Sequence, residues 1–150
     1  ALAQLERLDE LVEMRELAAK HFLDAVAPFE WLVPQATPEG YVNSYWAFVL
    51  KLDTNKVAWQ DFRKKFMELG GHGIYGAWVL GHLEPMYRNQ AFLGREKMIA
   101  RYGDYKYGKG MCTVAEAIQP TLLQFKTNYW DEAEAVAQAE ILRKTAEFFD

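Results

Sequence analysis

The sequence contains a single cysteine, Cys112, and five prolines among its 150 residues. One cysteine excludes an internal disulfide framework and favours a reducing compartment. No apolar run approaches the roughly 20 residues that a membrane-spanning helix needs. The first residues also lack the basic, apolar and small-residue regions of a secretory signal. These absences predict a cytoplasmic protein with no membrane partner.

The sequence also lacks an excess of positive charge. Lysine and arginine together number 17 and aspartate and glutamate 21, so the net charge is -4 and the pI about 5.4. Such a balance disfavours nucleic acid as a partner. Hydrophobic residues make up 51% and aromatic residues 15%, which is too rich for a disordered segment. The length and composition predict a single folded domain over residues 1–150.

The N-terminal segment is strongly periodic. Leu2, Leu5 and Leu8 begin a series of apolar residues at three- and four-residue steps, which predicts one amphipathic helix over residues 1–27. The pattern is already running at Ala1 without a capping residue, so we expect further chain upstream. The helix would be about 40 Å long. We therefore expect its leucines to contact a missing large domain, a second subunit or, in a homodimer, a second copy.

The remaining chain reads as a small α+β domain, within the broad α/β class. Runs of β-branched and aromatic residues predict three or four strands in a mainly antiparallel sheet, near residues 30–33, 42–52, 73–79 and 122–125. Helical patterns predict two further helices, near residues 55–69 and 131–149. Together with the first helix they are expected to cover mostly one face of the sheet.

Capping residues indicate where the helices begin and end. The polar residues 53–55 predict the start of the second helix, and Gly70 predicts its end. Thr113 and Glu116 have the spacing of a capping box, which predicts a short helix that begins there. Asp131 is the expected cap of the last helix.

No grouping of residues indicates catalysis by this chain alone. The three histidines do not pair at metal-ligand spacing, and no serine, histidine and acid group together. Cys112 is expected to be a small packed side chain. Gly70, Gly71 and Gly73 follow a helix, whereas a phosphate loop precedes one. We therefore expect no catalytic residue and no metal site.

Five aromatic residues are the candidates for a substrate cleft. Flat amphipathic rings suit stacking on sugars or bases while their polar edges donate hydrogen bonds. Packing in the core or against another domain accounts for them as well, and both interpretations stay open. A face that docks on another domain often rims the cleft between the two. The five are Tyr45, Trp46, Tyr75, Trp78 and Tyr87.

Four stretches, read together, resemble one protein family. They are ALAQLERLDELVEMRELAAKHF, NSYWAFVLKL, GGHGIYGAWVLGHLEPMY and CTVAEAIQPTLLQF. In this order they are similar to the C-terminal small domain of the DegT/StrS family of pyridoxal-phosphate-dependent sugar aminotransferases, which have fold type I. His82, Leu83, Pro85 and Tyr87 match the family's His-Leu-x-Pro-x-Tyr pattern. Thr113 stands where the family usually has proline.

The resemblance implies a parent enzyme that transfers an amino group from glutamate to a nucleotide-linked keto-sugar. It places the Schiff-base lysine, the aspartate on the pyridine nitrogen and a glycine-rich segment upstream of this chain. It therefore implies pyridoxal phosphate in the parent, and neither cofactor nor activity in this piece alone. His82 joins the aromatic candidates for the cleft wall. The alternative is a free-standing small-molecule or protein-binding module that kept the fold and lost the enzyme.

Overall fold

The computed structural model describes residues 2–76, 79–90 and 106–150. The chain folds into two compact units, one of residues 1–76 and 121–150 and the other of residues 77–120. Short 3-10 turns occupy Gly81–Leu83 and Gln119–Thr121. In chain order the helices and strands are α1 (Leu2–Leu5), α2 (Leu8–Val26), β1 (Leu32–Pro34), β2 (Phe48–Leu52), α3 (Trp59–Glu68), β3 (Ile74–Gly76), α4 (Pro85–Arg88), α5 (Thr113–Ile118), β4 (Leu122–Phe125) and α6 (Glu132–Phe149).

The four described strands of the first unit form one sheet in the order β1-β2-β4-β3, with every neighbouring pair antiparallel. Phe125 of β4 lies opposite Phe48 on one side and Ile74 on the other. Successive side chains of a strand point to opposite faces. In β2 this buries Phe48, Leu50 and Leu52 on one face and leaves Lys51 exposed on the other. The predicted antiparallel sheet is confirmed.

Helices α2, α3 and α6 pack on the buried face. The ring of Phe22 in α2 lies 5.4 Å from Phe48, and that of Phe66 in α3 lies 5.5 Å from Phe125. The α+β class is therefore as expected, and so is the packing of the helices on mostly one face of the sheet. The largest fully buried side chains are Phe22, Phe48, Phe62, Phe66, Phe125, Leu50, Leu52, Leu123 and Leu142.

The first helix is not the continuous rod that the periodicity predicts. It breaks at Glu6 and Arg7 into α1 and α2, and Arg7 leaves helical geometry with φ -111°. Among the described residues the first buried one is Ala18, so core packing does not hold the earlier turns straight. Apolar periodicity alone is therefore not enough to keep α1 and α2 in line.

Three strands differ from their predicted bounds. The second was expected from residue 42 but begins at Phe48, because Asn43 accepts a hydrogen bond from the backbone N–H of Tyr45 and Tyr45 adopts φ 46°. A left-handed residue after such a turn cannot continue an extended strand. The first strand runs to Pro34 instead of ending before it, which an edge strand tolerates. The strand predicted near residues 73–79 is described as Ile74–Gly76, and Trp78 lies outside the described residues.

Two of the expected helix caps are wrong. Asp53 accepts the backbone N–H of Asn55 in a local turn, and α3 begins only at Trp59. Thr113 is the first residue of α5, and the capping position belongs to Cys112. Cys112 is also exposed instead of packed.

The other two helix ends are confirmed. Asp131 accepts the backbone N–H of Ala133 and so caps α6. Gly70 ends α3 with φ 92°, and the N–H of Gly71 then returns to the carbonyl of Phe66. This is the helix ending in which a left-handed glycine lets the next amide reach an unpaired carbonyl. None of the helices in the described ranges is both long and apolar enough to span a bilayer.

Candidate functional site

A groove of about 410 Å³ runs along α1 and the first turns of α2 in the first unit. Leu8, Leu11 and Val12 form its helical wall, and Trp46 and Trp130 lie on the opposite side. We call this feature the helix groove. Its lining is completed by Gln4, Met14, Arg15, Ser44, Asn128 and Tyr129. Its size is in the range of small-molecule and peptide sites.

Arg15 is the charged residue of the helix groove. Its Nη1 donates to the backbone carbonyl of Trp46 and to Oγ1 of Thr127, both at 3.0 Å. Thr127 is fully buried, and its hydroxyl donates to the carbonyl of Tyr45 at 2.6 Å. These bonds tie α2 to two loops that are distant in sequence, and they hold the guanidinium in one orientation.

The helical period explains why Arg15 reaches the groove. Residues three, four and seven positions apart share one face of a helix, so Arg15 follows Leu8, Leu11 and Val12 on the apolar stripe. The carboxylates of this helix segment lie on the other faces of the wheel; they are Asp9, Glu10, Glu13 and Glu16. The groove therefore has a cation and apolar groups on its helical side.

Two tryptophans give the groove its aromatic side. Trp46 is 68% exposed and Trp130 is 73% exposed, which is unusual for the largest apolar side chain. The guanidinium of Arg7 lies 5.9 Å from the ring centre of Trp130, within cation–π distance. Large exposed rings beside a cation are typical of surfaces that bind another molecule.

The sequence-predicted aromatic candidates of the first unit fall in different places. Tyr45 is half-buried, and its ring packs 6.4 Å from that of Phe48. Trp46, its neighbour, lines the helix groove. Tyr75 is 56% exposed opposite Gln124, on the face of the sheet away from the helices. The groove lining therefore includes Trp46 and neither of the two tyrosines.

The second unit holds the other two described candidates. His82 Nε2 donates to Glu116 at 2.8 Å, with side-chain exposures of 9% and 14%. The amides of Gly110 and Cys112 also donate to this carboxylate. The Gly110 bond, first, and the His82 bond, second, hold the pKa of Glu116 below its ordinary value, since they stabilise the ionised form. His82 thus contacts a half-buried carboxylate. Tyr87 is half-buried.

The sequence reasoning missed Arg15 and Trp130 of the helix groove, and it missed Thr127, which holds Arg15 in place. A signal for Arg15 was available, because a cation on the apolar stripe of an amphipathic helix breaks the pattern and requires a partner. Thr127 and Trp130 carry no local signal, since both lie more than a hundred residues along the chain from α2.

The described residues do not fit a covalently held cofactor. A lysine that forms a Schiff base is desolvated in a closed pocket. The described lysines are all exposed or half-exposed, and several pair with carboxylates, as Lys56 does with Asp150 at 2.8 Å. In the same ranges no three histidine, cysteine, aspartate or glutamate side chains group as metal ligands.

No family model and no curated protein matches the chain. Its fold, however, matches solved structures. A Streptococcus pneumoniae protein assigned as a sugar aminotransferase, in its PMP form, superposes with a TM-score of 0.70 at 15% identity, over 99% of this chain and 34% of its own. A sugar aminotransferase from Micromonospora echinospora gives 0.64 at 12% identity, over 95% of this chain and 33% of its own.

A third solved structure catalyses a different reaction. The E. coli GDP-4-keto-6-deoxy-D-mannose-3-dehydratase with bound hydrated PLP gives a TM-score of 0.62 at 18% identity, over 97% of this chain and 33% of its own. At such identities the likeness shows the fold. The chain therefore has the fold of one segment of these PLP-dependent enzymes, as the sequence resemblance implied, and it spans about a third of their length.

Proposed function

We propose that this chain is the C-terminal small domain of a pyridoxal-phosphate-dependent sugar aminotransferase of the DegT/StrS type. The parent would transfer an amino group from glutamate to a nucleotide-linked keto-sugar. The observation that carries the proposal is the fold likeness to sugar aminotransferases over 95% and 99% of the chain. The four sequence stretches that resemble the family, in the family's order, support the proposal independently of the fold likeness.

In the proposed enzyme the cofactor, when bound, supplies the electron sink for the amino transfer. It would be held by residues outside this chain, because the described lysines are not enclosed. This chain contributes apolar and aromatic surface. Its candidates for a cleft wall are Tyr45, Trp46, Tyr75, Trp78 and Tyr87. Leu2, Leu5 and Leu8 are its candidates for contact with the large domain or a second subunit of a dimer.

His82 is better assigned to positioning than to substrate contact. Its ring is almost fully enclosed, and its Nε2 is already bonded to Glu116. A side chain with so little free surface offers little to a sugar ring. In this proposal His82 instead fixes its segment of the second unit to the turn at Gly110.

One observation favours the alternative, a free-standing binding module. The helix groove, with its two exposed tryptophans, has the size and aromatic lining of a binding site in its own right. The two proposals differ in whether the gene that encodes this chain continues upstream with a lysine-bearing domain. Reading the frame upstream of Ala1 separates them.

The proposal is tested by cofactor binding. Residues 1–150 mixed with pyridoxal phosphate should retain no absorbance of a lysine-bound cofactor after dialysis and show no glutamate-dependent transamination. The longer polypeptide encoded in the same frame should show both, with a nucleotide-linked keto-sugar as acceptor. A borohydride-trapped adduct on one specific lysine of residues 1–150 would overturn the proposed division of labour, since it would place an activated lysine in this chain.

A further inference from the structure

We propose that the helix groove is the socket for a protein segment of the longer enzyme, and that Arg15 binds a carboxylate of that segment. The segment would present an apolar ridge to α1 and α2, with the acidic side chain placed opposite Arg15. The inference rests on the proposed function. To the proposed function it adds the surface that is bound, the residue that anchors the bound segment, and the chemistry of that segment.

The first argument is the length of the exposed apolar strip. Leu2, Leu5 and Leu8 are 70%, 65% and 50% exposed, and no described residue before Ala18 is buried. Apolar surface is also exposed beyond the helix groove, because Leu2 and Leu5 lie outside its lining. A small molecule in the groove would leave those leucines in water. A protein segment along α1 and α2 would cover them together with the groove.

The second argument is that part of the Arg15 guanidinium makes no hydrogen bond to the described residues. A guanidinium has five N–H donors in a planar fork. The two hydrogen bonds that Arg15 makes with the described residues both use Nη1. Within the part of the chain that the structure describes, Nε and Nη2 have no acceptor, and no carboxylate pairs with this residue. Arg15 is half-buried, so these donors are partly removed from water.

The chemistry of that edge selects the partner group. The Nε and Nη2 donors of arginine match the two oxygens of a carboxylate in a bidentate pair. The bonds from Nη1 to Trp46 and Thr127 fix the guanidinium beforehand, so little side-chain entropy remains to be lost when the carboxylate arrives. Arginine and tryptophan side by side are also the residues that most often dominate protein interfaces, and Trp130 supplies the second ring.

The third argument is the amount of chain that has no counterpart here. The superposed enzymes extend over about three times the matched length, since the match covers 99% of this chain and 34% of the pneumococcal protein. A polypeptide of that size provides the segment in the same molecule. The socket is therefore assigned to the longer chain itself.

The test is hydroxyl-radical footprinting of Trp46 and Trp130. In residues 1–150, kept at a concentration where sedimentation shows a monomer, both rings should be oxidised readily, as their exposure requires. In the longer polypeptide both should lose most of that reactivity. Phe148 on α6 is 61% exposed and serves as the internal control, because its reactivity should be the same in both samples.

A second measurement addresses Arg15. The rest of the longer polypeptide, produced separately, should bind residues 1–150, and Arg15→Gln should weaken that binding about tenfold or more, the effect of a lost hydrogen bond to a charged group. Arg143→Gln is the matched control, since the described partners of Arg143 are Glu140 and Glu147, on the surface of α6. Equal binding by the wild type and Arg15→Gln would overturn the role of Arg15. Where the separate part does not fold, Arg15→Gln is made in the longer polypeptide, and unchanged protection of the tryptophans overturns it.

The footprint separates this inference from the proposed function. If the longer polypeptide binds pyridoxal phosphate and transaminates while both tryptophans stay reactive, the inference about the helix groove is wrong and the proposed enzyme function is supported. If both tryptophans are protected but no cofactor binds, the proposed enzyme function is wrong and the inference about the helix groove is supported. Protection that disappears on dilution assigns the groove to a second copy. Protection of residues 1–150 by uridine diphosphate alone assigns it to a small ligand. Either of these last two results overturns the inference.

Discussion

Glu116 and His82, 34 residues apart in the sequence, form the most enclosed hydrogen-bonded pair of acidic and basic side chains among the described residues, with 2.8 Å between Oε1 and Nε2. The carboxylate also accepts both the Gly110 amide and the Cys112 amide. One acidic side chain thus organises the turn before α5 and joins it to the segment that begins at Gly81. The local structure of the second unit therefore depends on the charge of Glu116.

This dependence predicts how the turn responds to acid. Because the pKa of Glu116 is lowered in the folded state, its contribution to stability is complete above the ordinary glutamate pKa and is lost as the pH falls through the lower, folded value. Protection of the Gly110 and Cys112 amides, measured relative to the intrinsic exchange rate at each pH, should be lost only at that lower pH. In Glu116→Gln the protection of both amides should already be reduced at neutral pH, with little further loss on acidification.

Amide exchange followed by NMR checks this prediction. Glu140→Gln is the control, since Glu140 also has a lowered pKa but bonds first to Arg143 on α6. That variant should leave the exchange of Gly110 unchanged. Protection of the Gly110 amide that is insensitive to both pH and Glu116→Gln would show that the carboxylate does not hold the turn.

Gly71 cannot carry a larger side chain. A Cβ at this position would lie 2.2 Å from the ring of Phe66, which is itself fully buried. The ring cannot move without disturbing the core, so Gly71→Ala should destabilise the protein by about 1–3 kcal/mol, the usual cost of overpacking. Urea unfolding measures the loss. Gly81→Ala is the control, because a Cβ there meets nothing within 4 Å; equal stability of the two variants would contradict the prediction.

Thr127 should matter more through its hydroxyl than through its volume. Thr127→Val keeps the shape but leaves the Tyr45 carbonyl without its 2.6 Å donor and Arg15 without one acceptor. The expected loss of stability is about 1–3 kcal/mol. Thr145→Val is the matched control, because the hydroxyl of Thr145 only adds a bond to the Ile141 carbonyl within α6. It should cost less than about 1 kcal/mol, since such back-bonding contributes little to a helix. Thermal unfolding of both variants tests the difference.

The exposed leucines predict the behaviour of the isolated chain. Exposed apolar surface costs roughly 25 cal/mol per Å², so the face that holds Leu5 and Leu8 should take a substitute partner at high concentration or fray. Replacing both by glutamine should give a monomer with the sheet and the other helices intact. Sedimentation velocity checks that the variant is a monomer, and circular dichroism checks that its secondary structure is intact. A wild-type monomer whose amides 2–10 are protected from exchange would show instead that the helix is satisfied within the chain.

Much of the fold was predictable because its causes are local. The strand Leu122–Phe125 and the Asp131 cap were predicted correctly, since alternation and capping depend on residues within a few positions. The end of α3 at Gly70 was predicted for the same reason. The resemblance to known aminotransferases also came from short stretches in a fixed order, and it implied the fold that the comparison then showed.

The errors arose where a distant or competing contact decided the outcome. Asp53 has the right side chain to cap a helix, yet it forms a local turn with Asn55 instead. The turn at Asn43 and Tyr45 shortens β2, although the residues before Phe48 have high β propensity. Propensity is a weak prior that such contacts override.

The sequence by itself determined the α+β class, the positions of most elements and the amphipathic first helix, because periodicity, capping and turns are properties of neighbouring residues. Only the tertiary structure decided the helix groove. It joins Arg15 to Thr127 across 112 positions and to the Trp46 carbonyl across 31. No local pattern encodes such a meeting, because it depends on how the α2 helix and the loops beside the sheet pack on one core. The break between α1 and α2 reflects the lack of such packing, since α1 has no buried residue and apolar spacing alone does not keep the rod straight.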